Sequence, residues 1–266
     1  MARNRLSLGD RKLSELYARF QRQRRSLGEL YPHVDYEDFV DHGRYQGAAL
    51  PAVAMAREHI IAITNTLNRF WYDLRNITVW GYVFDSLSED EKLLALYEFL
   101  YSIMNQCLSA PYSIKQMFIK SVCHVCHQTN RFLDANWSES FLKSDRDLSF
   151  KDAINLAKNF RSWSKLCHAL SHLNHANFLQ TTDDYRNRFN HGFPPRIELG
   201  WTMTVRRDQD SHKYVIANPP PFLIADLVPP LSEQYEAALN SYNAYVELLK
   251  EEQATWFKAT QGERDG

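Results

Sequence analysis

Three side chains suited to proton and phosphate chemistry stand close together in DDYRNRFNHGFPP, Asp183 to Pro195: Arg186, Asn187 and His191. Histidine gives and takes protons near neutral pH. Arginine carries a permanent charge and presents paired N–H donors to phosphate oxygens. An asparagine at i, i+4 to a histidine can hydrogen-bond one imidazole nitrogen and fix its tautomer. On an ideal helix Arg186 lies about 140° from His191. A shared site therefore requires the arginine to reach round, or the helix to unwind near Asn190–Gly192, which Gly192 and Pro194 favour.

An arginine followed, after four to six residues, by a histidine is weak evidence alone. About two such pairs are expected by chance in a chain of this composition. Besides Arg186/His191 the chain holds Arg161/His168, Arg206/His212 and Arg207/His212. Arg206, Arg207 and His212 flank a predicted turn, and Arg161 and His168 straddle two helical stretches. Arg186/His191 is set apart by Asn187, directly after the arginine. Asp184 and Arg188, at i, i+4, read as a solvated ion pair.

Other clusters have plainer readings. Cys123 to His127 spells CHVCH, the pattern of c-type haem attachment, but it sits mid-helix in a chain whose start lacks the apolar core of an export signal. Cys123, Cys126 and Cys167 with His168, His172 or His175 are zinc-type ligands, yet no second C-x-x-C accompanies them. Buried, reduced thiols on packed helices are the expectation, with no metal and no cofactor. His168, His172 and His175 share a helical face beside Ala169, Leu173 and Ala176; they either line a cleft with the Arg186 motif or form a partly buried polar seam. Arg19, Arg22, Arg24 and Arg25 either contact RNA phosphates or form a solvated helix face.

The elements that must position these residues are mainly helical. Nine glycines in 266 residues and long runs without breakers favour helix over β-sandwich. Helices are predicted over Asp10–Leu27 and Leu50–Arg75, then from the capping box Ser88-x-x-Glu91 to about Cys107, and from Pro111 to about Leu133. Ser149-x-x-Asp152 caps Phe150 to about Trp163, and helix resumes over Ser164–Leu179. Thr181 or Thr182 caps the short helix holding the motif. Tyr31–Ala49 reads as a loop. Arg196–Arg206 and Lys213–Ile216 read as a β-hairpin around the turn-like Asp208–Ser211. Asn218–Pro230, with five prolines, reads as an extended connection, and a last helix runs from Ser232 to about Lys258 on a seam of Tyr235, Leu239, Tyr242, Val246 and Leu249. Residues 1–49 read as an N-terminal helical extension and 50–266 as the main helical domain.

The net charge of −1 creates no global field for a polyanion, so a nucleic acid must use a local patch. No apolar run approaches the ~18–20 residues of a membrane span, and the chain is expected to be soluble and cytoplasmic.

RNRFNH resembles the R-N-x-x-x-H signature of the HEPN superfamily. The resemblance is specific at Arg186, Asn187 and His191 and extends more loosely to a helical chain with a long helix after the motif. It implies an all-α bundle of HEPN type with a hairpin insertion before the last long helix. It implies a metal-independent endoribonuclease of defence or toxin–antitoxin type: a homodimer cutting RNA by 2′-OH attack where two motifs share one cleft, with Arg186 and His191 catalytic, Asn187 supporting, and an inhibitory protein partner. Some members carry a tyrosine two residues after the histidine that a partner nucleotidyltransferase modifies; here that position is Phe193. The alternative is a non-catalytic HEPN-like binding module or partner-binding subunit.

Overall fold

Two reciprocal capping boxes start helices where the sequence reading places them. The Ser88 N–H donates to the Glu91 carboxylate at 2.9 Å, and the Ser149 N–H to that of Asp152 at 3.0 Å, while each serine hydroxyl accepts from the backbone N–H three residues on. The computed structural model describes residues 8–36, 47–200, 205–207, 212–216 and 219–262. Its helices are α1 (Leu8–Leu27), α2 (Leu50–Phe84), α3 (Glu89–Ala95), α4 (Tyr101–Leu133), α5 (Phe150–Ala157), α6 (Trp163–Ser171), α7 (Ala176–Thr181), α8 (Tyr185–His191) and α9 (Ile224–Gly262). Strands β1 (Val205–Arg207) and β2 (Tyr214–Ile216) pair antiparallel, Val205 opposite Ile216. The fold is all-α, with this small hairpin before the last long helix. No helix among the described residues is long and apolar enough to cross a membrane.

The chain divides into two compact units. One comprises Met1–Pro32, Phe70–Ser109 and Ala176–Glu233; the other comprises His33–Arg69, Ala110–His175 and Gln234–Gly266. Helices α2, α4 and α9 contribute residues to both.

In the first unit, α1 turns Leu16 and Phe20 inward. Phe20 stacks on Trp80 with ring centroids 4.9 Å apart, and Trp80 stacks on Phe99 at 5.2 Å, an aromatic ladder that fastens α1. The chain after α1 is tied down by polar contacts: the Tyr31 hydroxyl meets Thr78 and Ser232, and the Trp71 indole N–H donates to the Tyr31 carbonyl at 2.6 Å.

In the second unit, α9 is buried on most of its circumference. Tyr235, Tyr245, Leu248, Leu249 and Trp256 are fully enclosed. Gln234 spans the interruption between α6 and α7, where Asn174 adopts a left-handed backbone (φ 48). Its carbonyl oxygen accepts from the Asn174 N–H at 2.6 Å, and its amide donates to the His172 carbonyl at 3.1 Å. Glu251 accepts from the Arg161 and Ser162 N–H groups at 2.9 and 2.8 Å, satisfying orphan donors at the start of α6.

Several boundaries differ from expectation, and burial explains them. Helix α2 continues nine residues past Arg75 because Ile77, Val79, Trp80, Val83 and Phe84 are all buried. Pro111 opens no helix; it lies inside α4, itself buried, with Cys107, Leu108 and Ile114 packed around that stretch. Between α3 and α4 the chain stays helical through a π-helical turn, Leu96–Leu100. The proline-rich connection ends at Leu223, and Pro229 and Pro230 lie within α9, where buried Ile224, Leu227 and Leu231 hold the helix together. The single helix expected over Ser164–Leu179 is two, broken at Asn174. Of the strand expected over Arg196–Arg206, Ile197 makes an isolated parallel bridge to Phe222, and among the described residues Val205–Arg207 joins the hairpin. Residues 201–204 and the turn Asp208–Ser211 lie outside the described residues, as does most of Tyr31–Ala49.

Glu252 is fully buried on α9 with the Cys126 thiol and the Thr129 hydroxyl beside its carboxylate, neither in good hydrogen-bond geometry. The nearby Thr129 hydroxyl spends its proton on the Val125 carbonyl and accepts from the Trp256 indole. Burial pushes the Glu252 carboxyl from its ordinary 4.5 up to about 8. The folded chain thus keeps a proton that the unfolded chain releases, so stability is full below the unfolded pKa and is lost as pH rises toward about 8. The thermal midpoint should be higher at pH ~5 than at pH ~8.5, and Glu252→Gln should flatten that dependence, raising stability at the alkaline end by a few kcal/mol at most, on the order of the linkage term. Calorimetric melts of both proteins across that range check it.

Candidate functional site

Helix α8 begins on a strained turn. Asp183 and Asp184 both adopt left-handed backbone conformations, φ 50 and 45, which aspartate tolerates better than most residues. The Asp184 N–H donates to the Leu179 carbonyl at 2.7 Å, closing the turn. Neither threonine caps α8, contrary to expectation. Asp184 is the N-cap, without a side-chain cap bond, and the Thr182 hydroxyl instead donates to the Phe178 carbonyl at 2.8 Å. Arg188 forms its ion pair with Asp183, where the sequence spacing pointed to Asp184.

Tyr185 anchors the helix. It is buried, its hydroxyl donates to Asn105 Oδ1 at 2.5 Å, and its ring stacks on Phe189 at 6.1 Å. Burial pushes its phenol well above the usual range. Tyr185 carries no signal in the sequence beyond its i, i+4 spacing to Phe189, a pair of aromatics in a helix of otherwise polar residues.

The other end of α8 does not unwind. Helix persists through His191, and the Gly192 N–H donates back to the Arg188 carbonyl at 2.9 Å. Asn187 and His191 therefore share one exposed face, while Arg186 lies about 140° round and half-buried. The expected bond between the Asn187 amide and the His191 imidazole is not formed among the described residues. Two aromatics near this end of the chain segment are exposed: Phe193, at 73% exposure, just beyond the helix, and Phe189, which lies about 160° round α8 from both Asn187 and His191. The cleft beside α8 takes a different arginine. Arg188 and Arg196 line it with Asp183, Pro195, Pro219 and Phe222, enclosing about 140 Å³.

The remaining candidates separate from this group. Cys123 and Cys126 are fully buried inside α4, and burial pushes both thiols up, Cys123 to about 12. His127, the last residue of CHVCH, is also fully buried. Its Nδ1 accepts from the Trp137 indole at 3.0 Å and its Nε2 donates to Glu139 at 2.9 Å, so both nitrogens are engaged. Among the described residues no three His, Cys, Asp or Glu side chains converge in a way that could hold a metal ion. His168 and His172 are exposed with rings 4.8 Å apart, and His175 is half-buried; all three belong to the second unit, while α8 belongs to the first. On α1, Arg19 pairs with Glu91 at 3.2 Å and Arg24 lies over the Tyr72 ring, while Arg22 and Arg25 are exposed. The second unit also carries a cleft lined by His59, Lys120, Ser121, His124 and Asp145. The sequence touches this group only at His124, inside CHVCH, since His59 and Ser121 stand 62 positions apart.

Tyr185→Phe removes the bond to Asn105 without changing the ring. The expected loss is about 1–2 kcal/mol, concentrated in α8. Amide hydrogen exchange checks it: α8 should lose more protection than α4 or α9.

No protein-family model, no curated protein and no solved structure matches the chain.

Proposed function

We propose that the chain is a metal-independent endoribonuclease of HEPN-like type, working as a homodimer in which α8 of each copy supplies Arg186, Asn187 and His191. The observation that carries this reading is the exposed face of α8 on which Asn187 and His191 stand together. One imidazole is a sparse catalytic group. Two, brought together across a dimer axis, supply both a proton acceptor and a proton donor. The exposed phenylalanines are the type of side chain a protein interface buries. In the reaction, one imidazole takes the proton of the ribose 2′-OH, the 2′-oxygen bonds to phosphorus, the P–O5′ bond breaks, and the second imidazole protonates the departing 5′-oxygen. Guanidinium groups stabilise the charge that builds on the phosphorane. The products are a 2′,3′-cyclic phosphate and a 5′-hydroxyl end. In this reading the enzyme is a cytoplasmic defence or toxin nuclease restrained by a protein partner, and Phe193 offers no hydroxyl for control by nucleotidyl transfer.

A second reading, a non-catalytic HEPN-like binding module, draws on a specific observation: α8 stays helical through His191 and leaves Arg186 on another side. Cleavage assays on mixed RNAs with metal chelated separate the two. The nuclease reading expects wild-type cleavage that falls by about 10²-fold or more in His191→Ala, and a Phe193→Asp variant that loses dimer and cleavage together by sedimentation and gel assay. Wild-type protein cutting no more than His191→Ala would leave the binding module.

A further inference from the structure

The second unit holds a cleft of about 190 Å³ that belongs to neither α8 nor the buried thiols. His59 comes from α2, Lys120, Ser121 and His124 from α4, and Asp145 from the turn before α5. The two imidazole rings are 6.1 Å apart, edge to face. Each is held by a separate polar partner: His59 Nδ1 meets Ser121 Oγ at 2.9 Å, and His124 Nε2 meets Asp145 Oδ1 at 2.9 Å.

Hydrogen-bond accounting assigns the protons. Tyr245 is fully buried, and among the described residues its hydroxyl bonds to Ser121 Oγ. A buried phenol must donate its proton, so Tyr245 donates to Ser121, and Ser121 in turn donates to His59 Nδ1. In the neutral imidazole the proton then sits on Nε2, leaving it a donor. At the other ring, an ionised carboxylate only accepts, so the His124 proton bonded to Asp145 sits on Nε2. Burial, and secondly the charge of His124, lower the pKa of His59, against the opposing pull of Glu58 and Asp145. His59 therefore stays a neutral donor at pH 7.

We propose that this cleft is a binding site for a phosphate group, with His59 Nε2–H and the Lys120 ammonium as oxyanion donors and His124, held by Asp145, beside them. Lysine binds phosphate as a compact point charge, and a fixed imidazole N–H adds direction. Ala62, Ile63 and Met117 add an apolar part to the lining. It suits the organic part of a phosphate monoester better than bare inorganic phosphate. The groups that set its charge are Glu58, His59, Lys120, His124 and Asp145, with the hydroxyls of Ser121 and Tyr245 behind them. The proposal is independent of the reading of α8.

Imidazole resonances of protein labelled with ¹⁵N-histidine test it, with three probes: inorganic phosphate, uridine 5′-monophosphate and a 5′-phosphorylated RNA dinucleotide beside its 5′-hydroxyl form. Saturable shifts of His59 and His124, with Kd about 1 mM or below for an organic phosphate, weaker binding of inorganic phosphate, and none of the hydroxyl form are expected. Preference for the mononucleotide assigns a small-molecule ligand, and preference for the dinucleotide assigns an RNA end. Lys120 is exposed, so Lys120→Ala should fold normally while weakening binding about tenfold, and His59→Gln should do the same with the neutral donor removed. Absence of saturable shifts, equal response to the hydroxyl control, or unchanged binding in Lys120→Ala and His59→Gln overturns it.

Discussion

The polar groups that α9 carries into the second unit must all be satisfied inside it, and most of that unit's irregular features answer this constraint. A buried amide, hydroxyl or indole N–H without a partner costs about as much as several good packing contacts gain. Gln234 therefore sits where the chain breaks helix at Asn174, because a break exposes backbone groups that only a side chain can reach. Glu251 meets the bare N–H groups at the start of α6 for the same reason. Trp256 finds Thr129, and Thr64 donates to Tyr242 at 3.2 Å. The interruptions between α5, α6 and α7 are thus matched, group by group, to polar side chains on one long helix. Glu252 stands outside this pattern, and burial, with the charge of Glu251 beside it, raises its proton affinity.

Helix α8 obeys a different constraint. Seven residues make too few backbone bonds to hold a helix in water, so its position comes from outside. Tyr185 fixes the first turn, the Asp183–Arg188 pair crosses its length, and two left-handed aspartates set the entry angle. These contacts use the buried side of the helix. The side carrying Asn187 and His191 has no structural work of this kind, which is why those residues are exposed and why a functional reading attaches to them rather than to Arg188.

Local rules in the sequence carried the helix starts well. Ser88 and Ser149 act through bonds to residues three positions away, so their capping boxes are visible in any short window. The amphipathic runs of α1, α2 and α9 are equally local. Proline misled for the same reason: it is a local signal, whereas Pro111, Pro229 and Pro230 sit in helices held by burial against distant residues. The five-residue separation of Arg186 and His191 was readable as a helix angle, but whether the helix would unwind depended on the Gly192–Arg188 bond. The cleft at His59 was not readable at all. Its residues are scattered over three segments, and histidine, serine and aspartate at such distances resemble the background of any chain.

The core and that cleft are joined through a single hydroxyl. Ser121 sits on α4 with one proton to give, between a buried phenol and a half-buried imidazole. Had Tyr245 been phenylalanine, Ser121 could accept from His59 as readily as donate to it, and the ring would be free to present either nitrogen to the cleft. The phenol removes that freedom, because its own proton has Ser121 as its partner. A packing residue on α9 thereby dictates a tautomer at the surface, at the cost of one buried hydroxyl that is itself satisfied. Buried polar chains of this kind are stable only when every member is paired. The terminal member here is His59, which lines the cleft, so in the phosphate-site proposal its Nε2–H is completed by the oxyanion.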